Sequence, residues 1–324
     1  MLLAGDIGGT KTLIGLFHRD HVRPIQYASR KYLTASFQSF DDVLAKFESD
    51  VPFPAEVDAV AMGVAGPVLE GRATLTARGW DITVDEIARR TRARRVRLLN
   101  DLEAMAYSVD VLNSDEVVVL QEGEPDPSAG AAVIAAGTGL GQAYLRRMNG
   151  RLVPAASEGG HADFASRNDR EMEMVRMLRE ERGRVEIEDV LSGKGLVNLH
   201  RFTHRGGQCD VVADLTGAEA PAAVSKAGLS GRCQSCADAL RMFVSAYGAE
   251  SGNLALRSLS FAGLYIGGGI APKILPAMTS GQFMTAFLDK APMDDLVARV
   301  PVKVIVNSNA VLVGAAVAAN ELVS

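Results

Sequence analysis

Asn100 and Asp101 close an apolar run and open a helical one in the stretch VRLLNDLEAMAY, residues 96–107. One reading is a helix cap, since Asn and Asp side-chain oxygens accept the orphan N–H groups of a first helical turn. The other is a base. In α/β proteins ligands gather at the carboxyl ends of strands, and a carboxylate held there can take a proton.

Five further stretches could carry chemistry. In GDIGGTKT (5–12), Gly8 and Gly9 let the backbone turn tightly and bring N–H groups to an anion. Thr10 adds a hydroxyl, Lys11 a charge, and Asp6 at the strand end could orient a hydrated Mg²⁺ ion. The plain alternative is a hairpin turn, and the spacing is not that of a Walker loop. GTGLG (137–141) offers the same donors with the hydroxyl of Thr138, through Gly137, Thr138 and Gly139. It does not fit G-x-G-x-x-G, which excludes a dinucleotide Rossmann reading. Two such turns in one chain suggest two jaws on one polyphosphate.

IGGGIAPK (266–273) sets Gly267, Gly268 and Gly269 after a strand, with room for a flat group or a second phosphate at the helix start beyond. In SEGGHADF (157–164), Glu158 and His161 flank two glycines, so both side chains can face one small cavity. Otherwise they are a solvated charge and an ordinary histidine. Glu188, in EIEDVLSGKGLVNL (186–199), reads on its own as a solvated charge before a Ser-Gly-Lys-Gly turn.

Two other clusters are read as incidental. His200 and His204 at i, i+4, with Cys209, Cys233 and Cys236, meet only loose zinc-spacing rules. The expectation is that Cys236 lies on a packed helix and that the rest are unrelated. ARRTRARRVR (88–97) holds six arginines in ten residues but no aromatics, which suits a solvated helix face and turn rather than nucleic acid.

The elements that must position these residues follow from hydrophobic period and turn signals. Residues 2–7 and 12–17 predict a hairpin around the Gly-Gly-Thr-Lys turn. Residues 57–68, 96–100 and EVVVL predict strands, and 102–109 a helix. Residues 131–145 repeat strand, glycine turn, strand, which reads as an internal duplication of architecture. A helix is predicted over 169–182 with Met174, Met177 and Leu178 as core. A long helix follows over 236–259, broken near Gly248 or Gly252. Strand, glycine turn and helix come at 263–275, and a strand at 300–307. A small-residue helix at 309–323 is capped by Asn309.

With 324 residues, 48% of them hydrophobic, the chain has ample core for one large domain or two ordinary ones. A net charge of −5 implies no general affinity for nucleic acid or acidic membranes. Three cysteines in a long chain argue against a disulfide framework and for a reducing cytoplasm. The start MLLAGDIGG is not a signal peptide, and no apolar run approaches the roughly 20 residues of a membrane span.

Together the motifs resemble bacterial glucokinase of the hexokinase-like, non-ROK family. The carrying residues are Gly5–Lys11, Asn100-Asp101, Gly137–Gly141, Glu158–His161, Glu188 with 190–199, 252–256 and 267–270, in matching order over nearly the whole chain. The resemblance implies an α/β, two-lobed actin-like, ribonuclease-H-like fold with a cleft. The small lobe would be residues 1–111 plus 303–324, and the large lobe 112–302. It implies ATP-dependent phosphorylation of glucose at the 6-hydroxyl, a glycolytic reaction, with Asp101 as general base. Asn100, Asp101, Glu158, His161 and Glu188 would bind the sugar, the two hairpin turns the ATP phosphates, and 267–270 would lie near the adenosine. Mg²⁺ would accompany ATP, no metal ligand is assigned in the protein, and a cytoplasmic homodimer is expected. Sugar-driven closure would keep water from attacking ATP.

Two departures bear on this. Where many relatives carry Thr-Asn before Trp, this chain has Thr76-Ala77-Arg78-Gly79-Trp80. Ala77 cannot make the amide contact, so another hexose or hexosamine, such as glucosamine or mannose, is an alternative substrate. The cysteine cluster that binds zinc in the related ROK sugar kinases is missing, which argues against a structural zinc. A non-catalytic sugar sensor is a third alternative, opposed by the intact Asp101 and both phosphate turns.

Overall fold

A computed structural model describes residues 1–75, 77–205, 207 and 209–323, so Thr76 lies outside the described residues. The chain opens with strands β1 (Leu2–Ile7), β2 (Lys11–His18) and β3 (Ile25–Leu33), then helix α1 (Phe40–Asp50). Next come β4 (Ala59–Val64), β5 (Val68–Leu69), β6 (Arg72–Leu75), β7 (Trp80–Thr83), α2 (Val84–Thr91), β8 (Val96–Asn100) and α3 (Asp101–Ser108). The middle of the chain holds β9 (Val117–Gln121), β10 (Ala131–Ala136), β11 (Leu140–Met148), β12 (Arg151–Ser157), α4 (Asp169–Arg182), α5 (Gly193–His204), α6 (Ala220–Ser230) and α7 (Gln234–Ser258). It ends with β13 (Gly263–Gly267), α8 (Leu275–Met278), α9 (Gln282–Leu288), α10 (Asp294–Ala298), β14 (Val302–Ile305) and α11 (Ala310–Glu321).

Two compact units result. The first is Met1–Ser114 with Arg151–Ala155 and Asn307–Ser324; the second is Asp115–Gly150 with Ala156–Val306. In the first, the sheet order is β3-β2-β1-β4-β8. β1 and β2 form the expected antiparallel hairpin, and β4 and β8 run parallel beyond β1. One face of this sheet packs Leu3, Ile7, Val60 and Met62 against Val43, Leu44 and Phe47 of α1. The other packs Leu2, Ala4 and Leu99 against Ala104 and Tyr107 of α3 and the alanines of α11. The small side chains of α11 thus bring it close to both sheet and α3, as its composition predicts. Asn309 stands at its N-terminus but makes no side-chain capping bond, so the expected cap is not formed.

The six-stranded sheet repeats the plan in the order β12-β11-β10-β13-β14-β9. Again an antiparallel pair, β10–β11, is extended by parallel strands, β13 and β14. The duplication inferred from the two glycine-turned hairpins is therefore a duplication of topology. Met174 and Leu178 of α4 are fully buried, and Met177 packs on the same core. α7 runs unbroken for 25 residues through Gly248 and Gly252, contrary to the expected break. A Cβ at these positions would stand 2.1 Å from the Phe283 carbonyl oxygen and 2.5 Å from that of Phe287. These glycines are there for close contact with α9, not to end the helix.

Candidate active site

In the first unit, β1 ends beside the turn that starts at Gly8, whose N–H donates to the Lys11 carbonyl at 3.0 Å. The turn is anchored by Thr34. Its hydroxyl donates to the Gly8 carbonyl at 2.7 Å, and its N–H to the Thr10 carbonyl at 3.0 Å. Thr10 and Lys11 are exposed at the tip. Ala77 reaches the same turn: a Cβ added to Gly9 would lie 2.6 Å from the Ala77 Cβ.

Asn100 is the N-cap of α3, and Asp101 is the first helical residue. The Asn100 Oδ1 accepts the Leu102 N–H at 2.9 Å, and its Nδ2 donates to the Gly66 carbonyl at 3.2 Å. Asp101 Oδ1 accepts the same Leu102 N–H at 2.9 Å. Burial pushes the Asp101 carboxyl above its ordinary value, partly offset by N–H donors and the Asn100 side chain. Asp6 is pushed further, to about 7, first by burial and then by the charge of Asp101, with Lys31 opposing. Asn100 and Asp101 thus share the first N–H of α3, and the carboxyls of Asp6 and Asp101 are buried near enough to interact.

In the second unit the turn at Gly137–Gly139 is bracketed on both sides. Gly193 at the start of α5 donates its N–H to the Gly137 carbonyl at 2.8 Å. Glu188 Oε2 accepts the Leu140 N–H at 2.8 Å, and a Cβ on Gly139 would stand 2.5 Å from that oxygen. Only glycine lets Glu188 come this near. Glu188 belongs to a short 3-10 turn, Ile187–Asp189, held by Arg182 on Asp189 and by Asn198, whose Nδ2 donates to the Asp189 carbonyl at 2.7 Å. The charge read as solvated on sequence alone is an anchored, half-buried acceptor.

His161 Nδ1 lies 3.1 Å from Glu186, and Nε2 lies 3.9 Å from Glu158. Glu186 raises the His161 pKa first, through their hydrogen bond, with Glu188 and Glu158 adding to it. Ligand atoms of His161, Glu186 and Glu188 fall within 4.8 Å of one another. Glu186 is the residue the sequence missed; nothing in EIED distinguishes it from a surface charge. Glu158 itself is almost fully exposed.

The third glycine run follows β13. Gly268 has φ +84°, and a Cβ there would meet the Ala136 carbonyl at 2.3 Å. A second residue missed by the sequence fixes this place. Tyr247 of α7, fully buried, accepts the Ala136 N–H at 3.1 Å; its hydroxyl lies 3.4 Å from the carbonyls of both Ile134 and Gly267. One phenol therefore ties together the strand ends that carry two of the three glycine turns. Asn253 is part of this scaffold as well, donating to Glu250 at 3.0 Å, and Glu250 accepts from Gln142 at 2.8 Å.

The family model for glucokinases matches residues 3–322. The chain belongs to the glucokinase family. A glucokinase of Nostoc sp. is 35% identical over 345 aligned positions, covering 99% of both chains. The crystal structure of a glucokinase from an Antarctic psychrotroph superposes with a TM-score of 0.86 at 29% identity, covering 99% of this chain and 98% of that one. A ROK-family glucokinase from Streptomyces griseus, solved with glucose and AMPPNP, shares the fold at a TM-score of 0.61 and 21% identity, over 99% of both chains. The fold is the two-lobed, actin-like one of sugar kinases, as the motif resemblance implies, and this member of the glucokinase family is an enzyme that phosphorylates glucose with ATP. No helix among the described residues is long and apolar enough to cross a membrane.

The arginine-rich stretch is the expected helix face and turn, with Arg90 paired to Asp41 at 2.8 Å and Glu48 at 2.9 Å. The histidine–cysteine set, by contrast, is gathered in space, against the expectation that its members are unrelated.

Proposed function

We propose that Asp101 takes the proton of the glucose 6-hydroxyl as that oxygen attacks the γ-phosphoryl group of ATP. The observation that carries this is a carboxyl at a strand end whose pKa burial raises. A base tuned upward toward working pH accepts a proton better than an ordinary surface carboxylate. Asn100, Glu158, His161 and Glu188 hold the sugar. Carboxylates accept from neighbouring hydroxyls, and an imidazole or amide can donate or accept. His161 stays protonated to higher pH beside Glu186, which makes it a donor.

The turn of Gly8, Gly9 and Thr10, with Lys11, holds phosphates, as does the turn of Gly137, Thr138 and Gly139; the Gly8 and Gly137 N–H groups close these turns on the Lys11 and Gly139 carbonyls. Gly267, Gly268 and Gly269 lie against the adenosine. Asp6 is the residue that would hold a Mg²⁺ ion through its water shell; the ion would neutralise charge on the transferred group. Asp6 suits that task because a nearby cation relieves the penalty that drives its pKa to about 7. The same reading takes the enzyme as a cytoplasmic homodimer, which sedimentation equilibrium checks.

The test is ADP release with Mg-ATP on glucose, glucosamine, mannose, fructose and N-acetylglucosamine, for wild type and Asp101→Asn. The variant should lose about 10²- to 10⁴-fold in kcat with little change in glucose affinity. Unchanged turnover would remove Asp101 from the role. Ala77 favours a second reading, in which a hexosamine or mannose is the better substrate; the same panel decides it.

A further inference from the structure

Three separate segments of the second unit meet at one point: the last turn of α5, the chain at Cys209, and the first turn of α7. Cys209 Sγ lies 3.6 Å from Cys236 Sγ and 3.9 Å from Cys233 Sγ. His204 Nε2 lies 3.4 Å from Cys233 Sγ and 3.9 Å from Cys236 Sγ. Around a tetrahedral zinc with Zn–S of about 2.3 Å and Zn–N of about 2.0–2.1 Å, ligand edges are about 3.8 Å between sulfurs and about 3.6 Å from sulfur to nitrogen. The four measured edges straddle those lengths. They are far from the roughly 2.05 Å of a disulfide, and all three thiols are free.

The orientation is equally specific. His204 Nδ1 sits 2.8 Å from the His200 carbonyl, so Nδ1 carries the proton and the lone pair at Nε2 points to the sulfurs. Metal-binding imidazoles are held in this way, by a backbone acceptor on the second nitrogen. The Cys236 N–H donates to Cys233 Sγ at 3.5 Å, as suits a C-x-x-C thiolate pair. The His200 ring, buried and without a hydrogen-bond partner for either nitrogen, stacks on His204 at 3.8 Å between centroids. One donor atom each from His200, His204, Cys209 and Cys236 lies within 4.8 Å of the others.

We propose that His204 Nε2, Cys209, Cys233 and Cys236 form a structural zinc site, with His200 as its packing wall. Four protein ligands leave no open position, so the centre is a staple rather than a catalyst. Binding releases the three thiol protons and leaves a zinc trithiolate–imidazole centre of net charge −1. It fixes the end of α5 to the start of α7. The other end of α5 abuts the Gly137–Gly139 turn, so the staple secures a helix that the glycine turn leans on.

The experiment uses the full chain, purified reduced, without chelator or affinity metal, and measures zinc by plasma mass spectrometry. Wild type should hold about one zinc per chain. Cys209→Ser and Cys233→Ser should each lose it, whereas His200→Phe should keep it. Reconstitution of the stripped protein with Co²⁺ should give the visible bands and thiolate charge transfer of a tetrahedral site. If the serine variants fail to fold, titrating wild-type thiols with a mercurial while reading zinc release serves the same purpose. Absence of zinc together with absence of the Co²⁺ bands in folded, reduced protein overturns the proposal. Zinc retained by both serine variants, or lost only in His200→Phe, overturns this ligand set.

Discussion

Asp6 and Asp101 show how a residue can be chosen for its cost. Asp6 has its carboxyl raised from 3.8 to about 7 by burial and by Asp101. A raised carboxyl contributes stability that is complete below its unfolded value and lost as pH climbs through the folded one. Asp6→Asn removes that loss. The nucleotide-free variant should therefore melt near wild type at pH 4 and above it at pH 8, by up to roughly 4 kcal/mol, the equivalent of the shift. Saturating Mg-ATP should narrow the gap, because a cation beside Asp6 relieves the same penalty. Thermal melts at the two pH values read this directly, and equal melting at pH 8 would refute it. At this scale the sequence was readable where a polar residue interrupts an apolar pattern, as at Asp6, Asn100 and Asp101. It was silent on Glu186, whose hold on His161 depends on a fold that brings residues 161 and 186 together.

α7 carries the lesson at the scale of elements. Its length follows from helical spacing, and its apparent breaks at Gly248 and Gly252 are contacts with α9 that no local pattern reveals. The hydroxyl of its Tyr247 accepts the Ala136 N–H at 3.1 Å. Tyr247→Phe should remove that buried acceptor and cost about 1–3 kcal/mol in denaturant unfolding. It should also raise the KM for ATP more than that for glucose, since both Ala136 and Gly267 precede turns assigned to the nucleotide. A variant with wild-type stability and an unchanged KM for ATP would show that the phenol is idle. The cysteine staple was obscured for the same reason as Glu186. The ligands stand at 204, 209, 233 and 236, and the stretch between the middle two has no pattern that forecasts its return.

For the whole molecule, each of the two units is built on the same sheet plan. Asp6, Asn100 and Asp101 belong to one, and Glu158, His161 and Glu188 to the other. If sugar is what completes the catalytic set, ATP should be hydrolysed slowly in its absence, with ADP release at least about 10²-fold below that with glucose. A sugar-independent ATPase of comparable rate would refute that coupling. The duplication itself was legible from two hairpins with glycine turns, since turn chemistry survives when the flanking strands diverge.

α11 lies last in the chain yet packs on the first sheet and on α3, the helix that begins with Asp101. During synthesis on the ribosome the first unit therefore waits. All of the second unit, through Val306, is made before Asn307–Ser324 exist. At about 5–20 residues per second, the interval between Ser114 and Asn307 lasts roughly ten to forty seconds. The nascent chain spends that time with the part of the apolar sheet face that α11 covers still open, which makes the first-made half the last to mature and the one most in need of a chaperone.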